Sequence, residues 1–303
     1  MADWGIGGAD NFTKTTFSDV HPDIDPSNTT LSDGFSICVI GASRGIGAGI
    51  ATSYAKAGAS TIILAGRRTS GLEEVALQCR EAAKTKDLKV LVVRCDLTIP
   101  TDVEALAAKT QEACDGGGLD VLALNSGVTE DVLKVHEAPT EQIINTTAVN
   151  YTGSFLSAKH FIPLLLAKPG GAKTFAVVSS MAALIVRGPI ANAQYCVSKA
   201  AQLRLAELLH EEYHAEEGLR VFCVHPGAVA SEQGYGKSPD EFRPFLTESA
   251  ELCGGFFVWL TGRGKEVAWL SGRLLSAKWD VVELERRRDE IISNDMLKLR
   301  FVL

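Results

Sequence analysis

From residue 35 onward the chain alternates short, continuously apolar runs with longer amphipathic stretches. Seven runs read as strands: residues 35–40, 61–65, 90–95, 121–124, 175–178, 220–224 and 274–277. Stretches with helical spacing separate them, one ending near residue 57 and others over 72–83, 103–113, 141–167 and 195–216. A strand that is apolar at every position is buried on both faces, as in a parallel sheet covered by crossover helices. Repeated strand–helix units with right-handed crossovers predict an α/β fold: a single-domain, Rossmann-type doubly wound parallel sheet with helices on both faces. Residues 1–33 are polar, rich in Asp, Ser, Thr and Pro, and show no period. They read as an N-terminal extension that wraps the surface or is partly disordered, ahead of one domain over 34–303.

Composition narrows the function classes. The 303 residues carry a formal net charge of −7, and the one compact basic run, residues 286–288, is flanked by Glu283, Glu285, Asp289 and Glu290. That run is a solvated helix face, so no nucleic-acid partner is expected. The seven cysteines are scattered without a C-x-x-C pair, and the six histidines do not cluster, so neither a metal site nor a disulfide framework is expected. No apolar stretch reaches the length of a membrane span, and the first residues lack the basic and apolar regions of a secretory signal. A cytoplasmic protein follows as the expectation.

Three patterns carry chemistry. After the first strand, Gly41-Ala42-Ser43-Arg44-Gly45-Ile46-Gly47 opens directly into a helix. A glycine-rich turn at a helix N-terminus offers backbone N–H groups to a pyrophosphate, although the spacing is G-x-x-x-G-x-G rather than G-x-G-x-x-G. The second strand ends in Gly66-Arg67-Arg68, where an NAD-selecting site places a carboxylate for the ribose hydroxyl. Guanidiniums there, with Arg44 within reach, suit a 2′-phosphate and favour NADP(H). Tyr195 and Lys199 stand four apart on a predicted helix and so share a face. A phenol titrates near ~10, and a neighbouring ammonium is expected to lower it, making a Tyr/Lys pair a proton donor and acceptor. Fifteen residues before Tyr195, the fifth strand ends at Ser179-Ser180, where a hydroxyl can donate to a carbonyl oxygen.

Together these residues resemble the short-chain dehydrogenase/reductase family, clearly over residues 34–231, and in particular its natural-product tailoring reductases. The resemblance implies that Gly41, Gly45 and Gly47 bind the pyrophosphate, that Ser43, Arg44 and Ile46 of the same loop also meet the cofactor, and that Asp96-Leu97 meets the adenine. It implies that Asn125-Ser126-Gly127 stands for the N-A-G motif after the fourth strand, and that Pro226-Gly227, with Val229 and Ser231, meets the nicotinamide end. Asn150, Ser180, Tyr195 and Lys199 match the catalytic tetrad, with Asn150 supporting the lysine through a water. Either Ser179 or Ser180 supplies the hydroxyl, Ser180 being preferred. Ile40 stands where Thr is frequent, and residues 184–192 lengthen the Ser180–Tyr195 interval beside the expected pocket.

The expected activity is NADP(H)-dependent hydride transfer between nicotinamide and a small-molecule carbonyl or alcohol, as in a ketoreductase of secondary metabolism. The resemblance also implies a homodimer or homotetramer. A non-redox enzyme on the same scaffold (a dehydratase, isomerase or cyclisation catalyst) and an NADP(H)-sensing non-enzyme are the alternatives. A substrate loop is expected over about 231–262. Its aromatics Tyr235, Phe242, Phe245, Phe256, Phe257 and Trp259 suit either an apolar substrate or an ordinary core.

Overall fold

The structure is a computed structural model that describes residues 8–300; residues 1–7 of the N-terminal extension and 301–303 lie outside the described residues. Seven strands form one all-parallel sheet: β1 Ser36–Ile40, β2 Thr61–Gly66, β3 Lys89–Arg94, β4 Val121–Leu124, β5 Thr174–Val178, β6 Arg220–His225 and β7 Arg273–Ser276. β1, β4, β5 and β7 are buried at every position, which is why their middle residues read as apolar runs.

The strand order is β3-β2-β1-β4-β5-β6-β7, so the chain reverses its winding between β1 and β4. Ligands of open α/β sheets sit at such a switch point, outside the carboxyl ends of the strands. The register brings those ends level, with Ile40 beside Ala65 and Leu124, and Val178 beside Val224.

Helices α1 Gly45–Ala57 and α2 Thr69–Ala82 follow β1 and β2; α3 Pro100–Ala113 follows β3. The helix expected over 141–167 is broken. It runs as α4 Thr140–Thr146, a π-helical turn Thr147–Thr152, and α5 Gly153–Ala167. A π turn carries one residue too many for the i→i−4 ladder, a defect that periodicity does not reveal. The 25-residue α6 Ala193–Glu217 precedes β6, capped by the Asn192 side chain, which accepts from Tyr195 N–H.

The segment after β6 is more regular than a loop: α7 Glu232–Lys237 and α8 Ala250–Gly262 lie in it, and α9 Val281–Arg286 and α10 Arg288–Ser293 follow β7. Phe256, Phe257 and Trp259 are core residues of α8, not cleft residues. α8 crosses α1 closely because Gly49 and Gly254 face each other; a Cβ on either would strike the other helix.

Residues 8–33 wrap the domain through a few irregularly spaced anchors. Phe12 packs on Trp279 with ring centroids 5.0 Å apart, Phe17 N–H donates to Lys278 O at 2.8 Å, and Ile24 and Leu31 are buried. Anchors on irregular and 3₁₀ backbone have no period, which is why this segment looks featureless in sequence.

Candidate active site

Every parallel strand delivers its carboxyl end to one cleft of about 650 Å³. Gly41 follows β1 at φ +92° and donates its N–H to Ala65 O at 2.7 Å. A side chain at Gly47, one turn into the loop–helix junction, would overlap Gly41 O and the Asn125 carboxamide. Asn125, after β4, donates from Nδ2 to Gly41 O at 2.8 Å and so ties the switch point together. The result is a tight backbone cradle at the start of α1, with Ser43, Arg44, Gly45 and Ile46 on its rim and Gly47 buried behind it.

The rim beyond β2 and β3 is charged. Arg67 and Arg68 are exposed at the cleft edge, and Arg44 is held below its ordinary value by burial and by the charge of Arg68. Arg44 also forms an ion pair with Glu232 at the start of α7. Burial pushes the Asp96 carboxyl up, but hydrogen bonds from Thr98 N–H and Oγ, with Arg67 and Arg94 nearby, bring it below its usual value. Leu97 lines the cleft beside it. No carboxylate stands in the β2 end sequence Gly66-Arg67-Arg68.

Ser126 and Gly127 line the cleft floor, and Gly127 leaves room for Lys199 Nζ and Asn150 Oδ1. Asn150 does not reach the cleft. It is wholly buried in the π turn, where Oδ1 accepts from Val128 N–H at 2.8 Å and Nδ2 donates to Val128 O at 2.8 Å and Ser198 Oγ at 2.9 Å. One side chain thus joins the post-β4 loop, the π turn and α6.

Ser180 follows β5, and its Oγ accepts from Ala182 N–H at 3.0 Å. It hydrogen-bonds the Tyr195 phenol, whereas Ser179 lies against the Cys223 thiol of β6. Tyr195 and Lys199 share one face of α6, with Nζ 5.7 Å from the ring centroid. Burial pushes the phenol up to about 12, with the Ser180 hydrogen bond pulling against it. The i, i+4 spacing predicts that Lys199 lowers that phenol. In the structure burial outweighs, because the ammonium turns to Gln202 Oε1 at 2.9 Å and Val178 O at 3.1 Å. Burial in turn pushes Lys199 down to about 8, with Cys223 acting against it.

Between Asn150 and Lys199 stands the Gln202 side chain. Asn150 O accepts from Gln202 Nε2 at 2.8 Å and Ser154 Oγ at 2.7 Å, and it is Gln202 that reaches Lys199.

Beyond β6, Pro226, Gly227, Val229 and Ser231 line the far wall. Ser231 caps α7 by accepting from Gly234 N–H at 3.0 Å. Glu248, buried, accepts from Ala228 N–H at 2.7 Å and pairs with Lys278 at 3.2 Å, which fixes the Pro226–Gly227 turn. Opposite the glycine cradle the cleft has an apolar stretch of wall lined by Val132, Ile185, Ile190, Phe242, Phe245 and Leu246. Residues 184–192 reach it with Ile185 and Ile190, while Val186, Arg187 and Gly188 are exposed. Tyr235 is instead exposed and stacks under the Arg243 guanidinium at 4.8 Å.

Sequence reasoning missed Gln202, Asn192 and Glu248. Gln202 had a signal, since it follows Lys199 by three and Tyr195 by seven and therefore shares their helix face. Asn192 donates to Glu130 O and Asp131 O at 3.0 and 2.9 Å, and Glu248 pairs across elements; neither contact has a local pattern. Among the described residues no cluster of His, Cys, Asp and Glu is suited to a metal ion, and no helix is long and apolar enough to cross a membrane.

A family model described as short chain dehydrogenase matches residues 36–241. A short chain dehydrogenase of Aspergillus terreus, pgmD, is 34% identical over 308 residues, covering 100% of this chain and 96% of that protein. A solved short chain dehydrogenase from Shigella flexneri, complexed with NADP, is 26% identical with a TM-score of 0.70, covering 82% of this chain and 98% of that one. The 3-ketoacyl-(acyl-carrier-protein) reductase of Brucella melitensis, complexed with NADH, shares the fold at 23% identity and a TM-score of 0.69, covering 80% and 96%. The chain therefore belongs to the short-chain dehydrogenase/reductase family, whose members are oxidoreductases that use nicotinamide cofactors.

Proposed function

We propose that this protein is an NADP(H)-dependent reductase of small, largely apolar carbonyl compounds, with Tyr195 as the acid. The observation that carries the proposal is the meeting of the Tyr195 phenol, the Ser180 hydroxyl and the Lys199 ammonium in the cleft that holds the glycine cradle. A bound nicotinamide supplies or accepts the hydride. Tyr195 is protonated at neutral pH, since burial holds it near 12, and is set to give its proton to an oxygen that gains charge. Ser180 donates to that same oxygen. Lys199 sets its ammonium beside the phenolate that forms and can return a proton to it. Gly41, Gly47 and Asn125 shape a cradle that fits a pyrophosphate, and the backbone from Pro226 to Val229 would hold the nicotinamide carboxamide.

Arg44, Arg67 and Arg68 support the 2′-phosphate form of the cofactor. Arg44 and Arg68 repel each other, an arrangement that a phosphate dianion relieves. The apolar wall of Val132, Ile185, Ile190, Phe242 and Phe245 supports a carbonyl substrate of low polarity, and likeness to fungal relatives supports a place in secondary metabolism. Exposed Tyr151 and Phe155, whose rings meet edge-on at 5.1 Å, and exposed Val197 and Leu208 on α6 support a homodimer or homotetramer.

Fluorescence titration with NADPH and NADH, on wild type and Arg67→Ala, tests the cofactor reading. NADPH is expected to bind about tenfold or more tightly than NADH, with the preference reduced in the variant. Equal binding of the two would remove the basis for NADP preference.

A further inference from the structure

Lys199 is the middle of a buried network, not its end. Its Nζ donates to Gln202 Oε1 at 2.9 Å. Gln202 Nε2 donates both hydrogens, to Asn150 O at 2.8 Å and Ser154 Oγ at 3.0 Å. Ser154 Oγ donates in turn to Asn150 O at 2.7 Å, so the two lone pairs of that carbonyl are taken by side chains. Gln202 is 1% exposed and Lys199 3%. A carboxamide buried to this depth loses its water, and only a complete set of partners offsets that loss. Here the partners are the lysine beside Tyr195 and the peptide of the π turn, which has left the regular helical ladder.

We propose that Gln202 is a positioning residue that holds the Lys199 ammonium against the cleft wall and closes the route behind it to proton traffic. The proposal rests on the reading of Lys199 and Tyr195 given above. A carboxamide oxygen accepts a hydrogen bond from an ammonium but does not take its proton, and the amide N–H does not pass one on at neutral pH. The link from Lys199 to Asn150 is therefore a tether and not a relay. In the reduction direction, the proton that leaves Tyr195 for the substrate oxygen is replaced from the Lys199 ammonium. The amine so formed regains its proton from water in the cleft, the side that Lys199 also lines.

Geometry also decides the charge. Lys199 is drawn down to about 8 by burial, and the titratable groups that face it are Cys223 on β6 and Tyr195 on its own helix, neither charged at neutral pH. The acceptors that hold the ammonium are neutral dipoles, Gln202 Oε1 and Val178 O. Removing one of them disfavours the charged form, and replacing it by a carboxylate favours it.

The test compares wild type with Gln202→Met, close in shape but without dipoles, and Gln202→Glu. One readout needs no substrate or cofactor: the thermal midpoint from about pH 7 to 11, each variant's curve read against wild type. Lys199 refuses in the fold, between about 8 and its ordinary 10.5, a proton that the unfolded chain binds, so its contribution makes stability rise with pH across that window. The lower edge of the window is expected to move down by about one pH unit in Gln202→Met and up by a similar amount in Gln202→Glu. The second readout is kcat/KM for NADPH-dependent reduction. Its alkaline limb is expected to move in the same two directions, with kcat in Gln202→Met falling about tenfold and KM changing less than about threefold. Equal loss of midpoint in both variants, with neither edge nor limb displaced, would reduce Gln202 to packing and overturn the proposal. If Gln202→Met does not fold, the upward displacement in Gln202→Glu decides alone. If wild type shows no hydride transfer at all, the functional reading fails, while the substrate-free midpoint still decides the Gln202–Lys199 link.

Discussion

Replacing Gly47 by alanine separates the cradle's two demands, for helix and for space. Gly47 lies inside α1, so by helix propensity alone alanine would stabilise by ~1 kcal/mol. A Cβ there, however, falls on Gly41 O and within 2.7 Å of Asn125 Nδ2. The nearer group is backbone, and a collision of that kind in a packed interior costs about 1–3 kcal/mol. Displacing Gly41 also weakens the Asn125–Gly41 hydrogen bond, worth ~1 kcal/mol. The sum is a net loss of roughly 1–3 kcal/mol, paid partly in stability and partly in the shape of the anion site. Thermal melting should show a drop of a few degrees, and NADPH titration a dissociation constant raised about tenfold or more. Gly236→Ala is the control, since a Cβ at Gly236 meets nothing within 4 Å and its φ is not positive. A Gly47→Ala protein that melts no lower than wild type and binds NADPH within about twofold would refute the reasoning about the cradle.

Two further outcomes follow from buried charge. His210 is pushed down to about 4 by burial, with His214 adding to the effect; below about 6.5 the unfolded chain binds a proton that the fold refuses. Stability from this group is complete above pH 6.5 and drains as the pH falls toward 4, so His210→Gln should flatten the acid side of a midpoint-against-pH curve. Glu248→Ala removes the carboxylate that pairs with Lys278 and accepts from Ala228 N–H, and should cost roughly 3 kcal/mol in urea unfolding and weaken NADPH binding together; unchanged binding would detach Glu248 from the nicotinamide wall.

The sheet was legible in the sequence because its strands are buried on both faces. Runs such as 35–40 and 121–124 leave no exposed polar face, and the strand–glycine–helix order alone marks the position of the cleft. Tyr195, Lys199 and the two serines were legible for the same reason, each standing at a strand end or one turn into a helix. What was not legible depends on partners distant in sequence. Gln202 meets Asn150 52 residues away, and whether a buried glutamine is tether or misfit depends on that meeting. The π turn around Asn150 leaves no mark on hydrophobic periodicity, and the arm over 8–33 is held by single anchors such as Phe12 on Trp279. Spacing alone did not reveal which way the Tyr195 phenol shifts: i, i+4 places both residues on one face but does not say how deeply they are buried or where the ammonium turns.

The central claim is hydride transfer with Tyr195 as the acid, and one measurement reaches it most directly. Wild type and Tyr195→Phe are incubated with NADPH and a panel of apolar ketones and aldehydes, and the absorbance of the reduced nicotinamide is followed while product is measured. Wild type is expected to lose that absorbance in step with alcohol formation. The variant should bind NADPH as wild type does and turn over roughly 10²–10⁴-fold more slowly. A Tyr195→Phe protein that keeps most of its rate, or substrate consumed with no change in absorbance, would contradict it.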